Sequence, residues 1–160
     1  RTTAHVRARG GMVRFKNRYL LLEVTYNDGR GMDASVTPSA MLDALKTSII
    51  ENFGDMTYGL AQAALTVKYV DTRCGLVIVR CGRDESQAVR TAVGVMQEVL
   101  GRSARCGTRF VGGTLATTRA ACLKFTREKL RALVDAGRLK EDEIDALLEA
   151  QKKILDTVAH

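Results

Sequence analysis

The chain has 160 residues, of which 46% are hydrophobic and 27% charged, a balance that fits one globular domain with modest extensions and excludes a largely disordered chain. No apolar run approaches the roughly 20 residues a membrane helix needs, and no apolar N-terminal stretch has the look of a secretory signal, so no membrane partner is expected. The formal charge of +7 is unevenly placed: residues 1–30 carry a net +5, 31–101 a net −2, 102–131 a net +7 and 132–160 a net −3. Two basic blocks around a near-neutral middle favour a polyanionic partner, because Lys and Arg displace condensed counterions from phosphates; a merely basic soluble surface is the ordinary alternative.

Residues 1–11 hold three arginines and no acid. They read as a flexible basic arm, part of an organellar targeting segment, or residues ahead of a start at Met12. Tyr19 to Tyr26 alternates as a strand, with Leu20, Leu22, Val24 and Tyr26 on one face. Asn27-Asp28-Gly29 and Gly31 make a loop. Thr37-Pro38 starts a helix, with Thr as cap and Pro at the first turn; Leu42, Leu45, Ile49 and Phe53 follow at helical spacing and Gly54 closes it. Ala63–Val70 and Gly75–Cys81 read as strands joined by Asp71-Thr72-Arg73-Cys74. The second is apolar on both faces except for Arg80, as suits a central strand. Asp84 and Gln87 resemble a capping box opening a helix with Val89, Ala92, Val93, Met96 and Leu100 inward and Gly101 at its end. A last strand is expected within Cys106–Leu115, interrupted or ended by Gly112-Gly113. Two helices follow, at about Thr126–Ala136 and Glu141–Val158, the second with an acidic first turn and an apolar stripe of Ile144, Leu147, Leu148 and Leu155. The order β-α-β-β-α-β is the ferredoxin-like, RRM-like α/β arrangement, an antiparallel sheet with two helices on one face and extra C-terminal helices as candidates to cover the other. The division expected is a basic arm at 1–11, an α/β domain at 12–125 and a helical extension at 126–160.

The chemistry is sparse. His5 and His160, the only histidines, read as solvated end residues rather than a base or a ligand. No Walker A or dinucleotide-binding glycine motif occurs, no nucleophile–base pair can be read from spacing, and the carboxylates fall mainly on helix surfaces and caps, so no active site of its own is expected. Cys74, Cys81, Cys106 and Cys122 lack zinc spacing and read as buried free thiols of a reducing, intracellular compartment. The RRM stacking motif is absent from Gly75–Cys81, so RNA contact should be mainly to phosphate and sugar. Candidate phosphate contacts are Arg14, Lys16 and Arg18 before the first strand, Arg80 within the central one, and Arg109, Arg119 and Lys124 around the last. Gly112-Gly113-Thr114 offers a close backbone approach to a phosphate, against the plainer reading of a bulge or turn that needs glycine.

Met12-Val13-Arg14-Phe15-Lys16-Asn17-Arg18-Tyr19-Leu20-Leu21 closely resembles the N-terminal signature of the Rpp14/Pop-five family of ribonuclease P and RNase MRP protein subunits. Gly75–Cys81 resembles that family's central strand, and Val111-Gly112-Gly113-Thr114-Leu115 its late Gly-Thr element before a basic segment ending at Lys124-Phe125. The resemblance covers about residues 12–130. The first motif is the specific one. Ala116–Leu123 departs from the pattern, with Arg119 its only charge. The resemblance implies an RRM-like fold and a non-catalytic subunit that binds and stabilises the catalytic RNA for 5′ processing of precursor tRNA. It implies contact with a TIM-barrel subunit and other subunits of the particle, and only indirect contact with precursor tRNA. No cofactor is expected on the protein itself, magnesium ions belonging to the RNA, and a nuclear or nucleolar location follows if the source is eukaryotic. A ferredoxin-like small-molecule-binding or regulatory domain is the alternative, and a metal-dependent nuclease acting alone a further one.

Overall fold

The structure, a computed structural model, describes residues 15–159; Arg14, the arm 1–11 and both histidines lie outside them. The elements are β1 (Asn17–Tyr26), α1 (Pro38–Phe53), α2 (Asp55–Ala61), β2 (Thr66–Asp71), β3 (Leu76–Gly82), α3 (Ser86–Val95), β4 (Glu98–Val99), β5 (Arg102–Gly112), α4 (Leu115–Asp135) and α5 (Glu141–Thr157). The strands form one antiparallel sheet in the order β2-β3-β1-β5-β4. This is the expected ferredoxin-like order with the two-residue β4 added at one edge.

β1 is central and buried on both sides, Tyr19 to Leu22 all lying in the interior. Its even residues, Leu20, Leu22, Val24 and Tyr26, meet Met41, Leu45 and Ile49 of α1 and Val89, Ala92 and Val93 of α3. Its odd residues, Tyr19 and Leu21, join Tyr69, Leu76 and Ile78 against Leu115 and Cys122 of α4 and Leu155 of α5. The period of two thus feeds two separate cores. α4 and α5 close on each other through Leu130, Ile144 and Leu148. The C-terminal helices therefore cover the second sheet face, and the tail's apolar stripe is used inside the fold.

Local chemistry explains most boundaries. Thr37 caps α1, its Oγ1 accepting from the Ala40 amide at 3.2 Å, and Pro38 follows in the first turn. Gly75 adopts φ 67°, and a Cβ there would run into the Val24 carbonyl, whose own residue's amide donates to Gly75 O at 2.8 Å.

Several expectations are corrected. α3 stops at Val95 rather than Leu100, because Leu100 and Gly101 take φ 52° and 74° and form the β4–β5 turn. Its start has Glu85 at the cap with no side-chain cap bond, so Asp84 and Gln87 make no capping box. α2 was not foreseen. β5 begins at Arg102, ahead of the expected Cys106. The helix expected from Thr126 starts at Leu115, capped by Thr114, so the boundary drawn at 125 falls inside one continuous helix.

Candidate nucleic-acid interface

The strand register decides which candidate cations meet. Asn17 pairs with Gly82, Tyr19 with both Arg80 and Gly112, and Thr66 with Arg80. The Arg83 amide donates to the Lys16 carbonyl at 2.8 Å. Lys16, Arg80 and Arg83 therefore gather where β1, β2 and β3 end together. Lys16 and Arg83 are exposed, and among the described residues neither they nor Arg80 form an ion pair within 4.0 Å. Arg18 lies next to them on the α1/α3 side and donates to the Asn17 carbonyl at 3.0 Å. Lys68 stands near Arg80; partial burial first, then the Arg80 charge, lowers its pKa.

The second basic block is different. Its strand, β5, pairs with β1 as the sheet order predicts, but several of its charges are used within the fold. Arg109 occupies a bulge where Leu21 pairs with Phe110 and Leu22 with Thr108. It bonds to Glu23, which also holds Lys129 of α4. Burial alone would raise the Glu23 pKa; Lys129 and Arg109 outweigh it and hold the carboxyl below its ordinary value. Arg102 binds Asp28 at 2.9 Å and Asp33 at 2.8 Å and lies over the Tyr26 ring at 3.9 Å. Arg119 donates to the Val158 carbonyl at the end of α5. Lys124 faces outward on α4 and shares a shallow groove with Arg127 and with Lys152 and Glu149 of α5. Arg105 is exposed on the uncovered end of β5, opposite Thr25. The formal charge of this block thus overstates the positive surface it presents, because Glu23, Asp28 and Asp33 come from other parts of the chain.

Gly112-Gly113-Thr114 joins β5 to α4. An added Cβ at Gly112 would meet the hydroxyls of Thr117 and Thr118, and Thr114 Oγ1 accepts from the Thr117 amide at 3.2 Å to start α4. The close approach of these hydroxyls favours glycine at Gly112, whereas a Cβ at Gly113 would meet nothing within 4 Å.

The thiols are protonated core groups. Burial pushes Cys106 up to about 11 and, with Glu85 nearby, Cys81 up to about 11; burial and then Asp71 push Cys122 up to about 12. Cys74 is half-buried and also raised, first by burial. A polar inlay crosses this core, where Gln151 Nε2 donates to the buried Asp71 Oδ2 at 2.8 Å. Tyr69 beside it is pushed well above its ordinary value by burial and then by Asp71. Among the described residues no three His, Cys, Asp or Glu side chains are grouped to hold a metal ion, and no helix is long and apolar enough to cross a membrane.

Sequence reasoning missed Lys68, Arg83 and Arg127 as cations without an ion pair. Lys68 and Arg83 are isolated basic residues in the sequence, and the strand pairing that brings them near Arg80 and Lys16 joins distant segments, whereas Arg127 lies inside the second basic block.

Known proteins offer a close comparison. The sequence model of the Rpp14/Pop5 family matches residues 18–123, from β1 into α4. The chain is 30% identical over 127 residues to the ribonuclease P/MRP protein subunit POP5 of Schizosaccharomyces pombe, covering 74% of this chain and 91% of that one. It is 30% identical over 148 residues to the probable ribonuclease P/MRP protein subunit POP5 of Arabidopsis thaliana, covering 89% and 97%. It is 30% identical over 129 residues to the ribonuclease P/MRP protein subunit POP5 of Homo sapiens, covering 77% of each. A chain in the cryo-EM structure of yeast ribonuclease MRP superposes with a TM-score of 0.48 at 12% identity, over 66% of this chain and 79% of that one.

Proposed function

Because the chain belongs to the Rpp14/Pop5 family, we propose that it is a protein subunit of a ribonuclease P/MRP ribonucleoprotein and that it binds and stabilises the particle's RNA. The observation that carries this reading is the family match across residues 18–123, which takes in the three inner strands and most of the cations described above. On this reading the RNA, with its magnesium ions, cleaves the 5′ leader of precursor tRNA, and the protein supplies shape and charge rather than a nucleophile. Lys16, Arg80, Arg83 and Lys124, which form no ion pair among the described residues, are suited to phosphates, which position an RNA without reading its sequence. A TIM-barrel subunit and other proteins of the particle are the proposed neighbours, and the nucleus or nucleolus the proposed location. Both sheet faces are covered by the chain's own helices, so such a neighbour would dock on helices, loops or the sheet ends.

The test is to tag the protein in its own cells, purify it and sequence the bound RNA. Recovery of the ribonuclease P or MRP RNA is expected; a preparation enriched in neither would sink the proposal. The ferredoxin-like small-molecule reading has one observation in its favour, an apolar cleft of about 420 Å³ between α4, α5 and the β2–β3 turn, lined by Leu130, Leu133, Leu139 and Leu147.

A further inference from the structure

We propose that the cleft at the open end of the sheet holds one nucleotide of a single-stranded RNA segment, with Phe15 stacking on its base and Lys16, Arg80 and Arg83 holding its phosphate. This rests on the RNA-binding reading above and assigns it a place and a mode that the central strand, lacking stacking aromatics, does not offer.

The cleft has a volume of about 590 Å³, room enough for a nucleotide, and these four residues line it together with Leu60 and the carboxylates Asp84 and Glu85. Its cations are fixed by backbone geometry. The Arg83 amide bonds to the Lys16 carbonyl, which ties the two residues side by side. Arg80 donates from Nε to the Ala64 carbonyl at 3.2 Å and from Nη2 to Thr66 Oγ1 at 3.5 Å. That sets the guanidinium plane while leaving most of its five N–H donors free. Asp84 and Glu85 share the cleft, yet among the described residues neither lies within 4.0 Å of its cations. Glu85 instead lies against Gly82. Lys68 stands beside Arg80, and its pKa is lowered first by burial and then by the Arg80 charge.

Phe15 supplies the stacking surface. The residue is 94% exposed and lines the cleft beside three cations and two carboxylates. A phenylalanine left in water has gained nothing from folding, whereas a base laid on it covers its face and brings a phosphate within reach of Lys16. Single-stranded RNA is recognised in this way, by stacking joined to charge, while a duplex hides its base faces. Met56 and Leu60 on α2 are also exposed, at 82% and 67%. They would serve a protein occupant better than an RNA, which makes that occupant an outcome the experiment must separate.

The test uses the full chain, a fluorescent oligouridylate of about ten nucleotides, a duplex of equal length, and the particle RNA, each over a salt series. Phe15→Ala should weaken oligouridylate binding roughly tenfold and leave the duplex nearly unchanged, while Phe15→Trp retains binding. Lys16→Ala with Arg83→Ala should flatten the slope of log affinity against log salt by about one to two units. All the altered side chains are exposed, and circular dichroism checks the fold. If these variants bind the oligonucleotide as the parent does while the particle RNA still binds in a salt-dependent way, the cleft proposal is wrong and the wider RNA reading stands. Failure of the parent to bind any of the RNAs overturns both. If Phe15→Ala spares oligonucleotide binding but abolishes co-elution with a TIM-barrel subunit, the cleft is a protein-docking surface and the nucleotide assignment is overturned.

Discussion

The two faces of the sheet are buried by different means. On the α1/α3 face, Leu20, Leu22 and Val24 meet aliphatic side chains, and one buried polar group, Ser48 of α1, donates across to the Ala92 carbonyl of α3 at 2.7 Å. On the α4/α5 face the apolar contacts of Leu115, Cys122 and Leu155 are inlaid with Asp71, Gln151, Thr118 and Thr126 and bordered by Glu23, Arg109 and Lys129. Apolar burial is non-directional, so it holds helices down without fixing their position along the sheet. Hydrogen bonds and ion pairs add direction. The face built from the C-terminal part of the chain thus carries the larger share of directional contacts, and the other rests mainly on apolar volume.

The sharpest way to break this comparison is to empty one core at a time. Leu45→Ala and Leu155→Ala each remove a fully buried leucine and should each cost about 2–5 kcal/mol in urea denaturation. They should differ in extent. Leu45→Ala lowers protection from hydrogen exchange across the molecule, whereas Leu155→Ala lowers it first in α5. Equal loss of protection everywhere in both variants would show that the two cores are one cooperative unit. A smaller effect is expected from Gln151→Leu, which keeps the helix apolar but leaves Asp71 Oδ2 without its 2.8 Å donor. Calorimetry should register about 1–3 kcal/mol of destabilisation, and a neutral or stabilising result would mean the polar inlay does not set the position of α5.

The smallest effect belongs to the border. Glu23→Gln should cost about 0.5–1 kcal/mol near neutral pH. Because the Glu23 pKa is depressed below its ordinary value of 4.5, its contribution is present above that pH and is lost as the pH falls through the lower folded-state value. Stability measured between about pH 5 and pH 3 should therefore fall less steeply in the variant. Identical slopes would assign acid sensitivity to other carboxylates.

Much of the fold is legible in the sequence where one signal acts alone. The alternation of Tyr19–Tyr26, the Thr37-Pro38 start and the apolar Leu76–Cys81 each leave one reading, and the neighbouring of the first and last strands follows from the order of elements. Misreadings occur where one residue serves two uses. Gly101 has the look of a helix stop but forms a hairpin turn with Leu100, and Gly112-Gly113-Thr114 ends a strand and caps a helix in the same three residues. Thr117 and Thr118 hid the first turn of α4, since threonine is a weak helix former in isolation. The interface was less legible. Composition counts Arg102 and Arg109 as free charge, yet their partners Asp28, Asp33 and Glu23 lie 69 to 86 residues away. Only the folded register shows which cations are left for a partner.

The placing of β1 also governs how the protein comes into being. This strand leaves the ribosome before the elements it packs against, since its two flanking strands end only at residues 82 and 112 and the helices that seal its odd face end at 135 and 157. Contacts so distant in sequence form slowly, and the strand cannot be shielded by anything already made. A nascent chain halted near residue 100 carries Leu20, Leu21 and Leu22 on a strand still open along one edge, which makes that segment the part of the protein most prone to aggregate during synthesis.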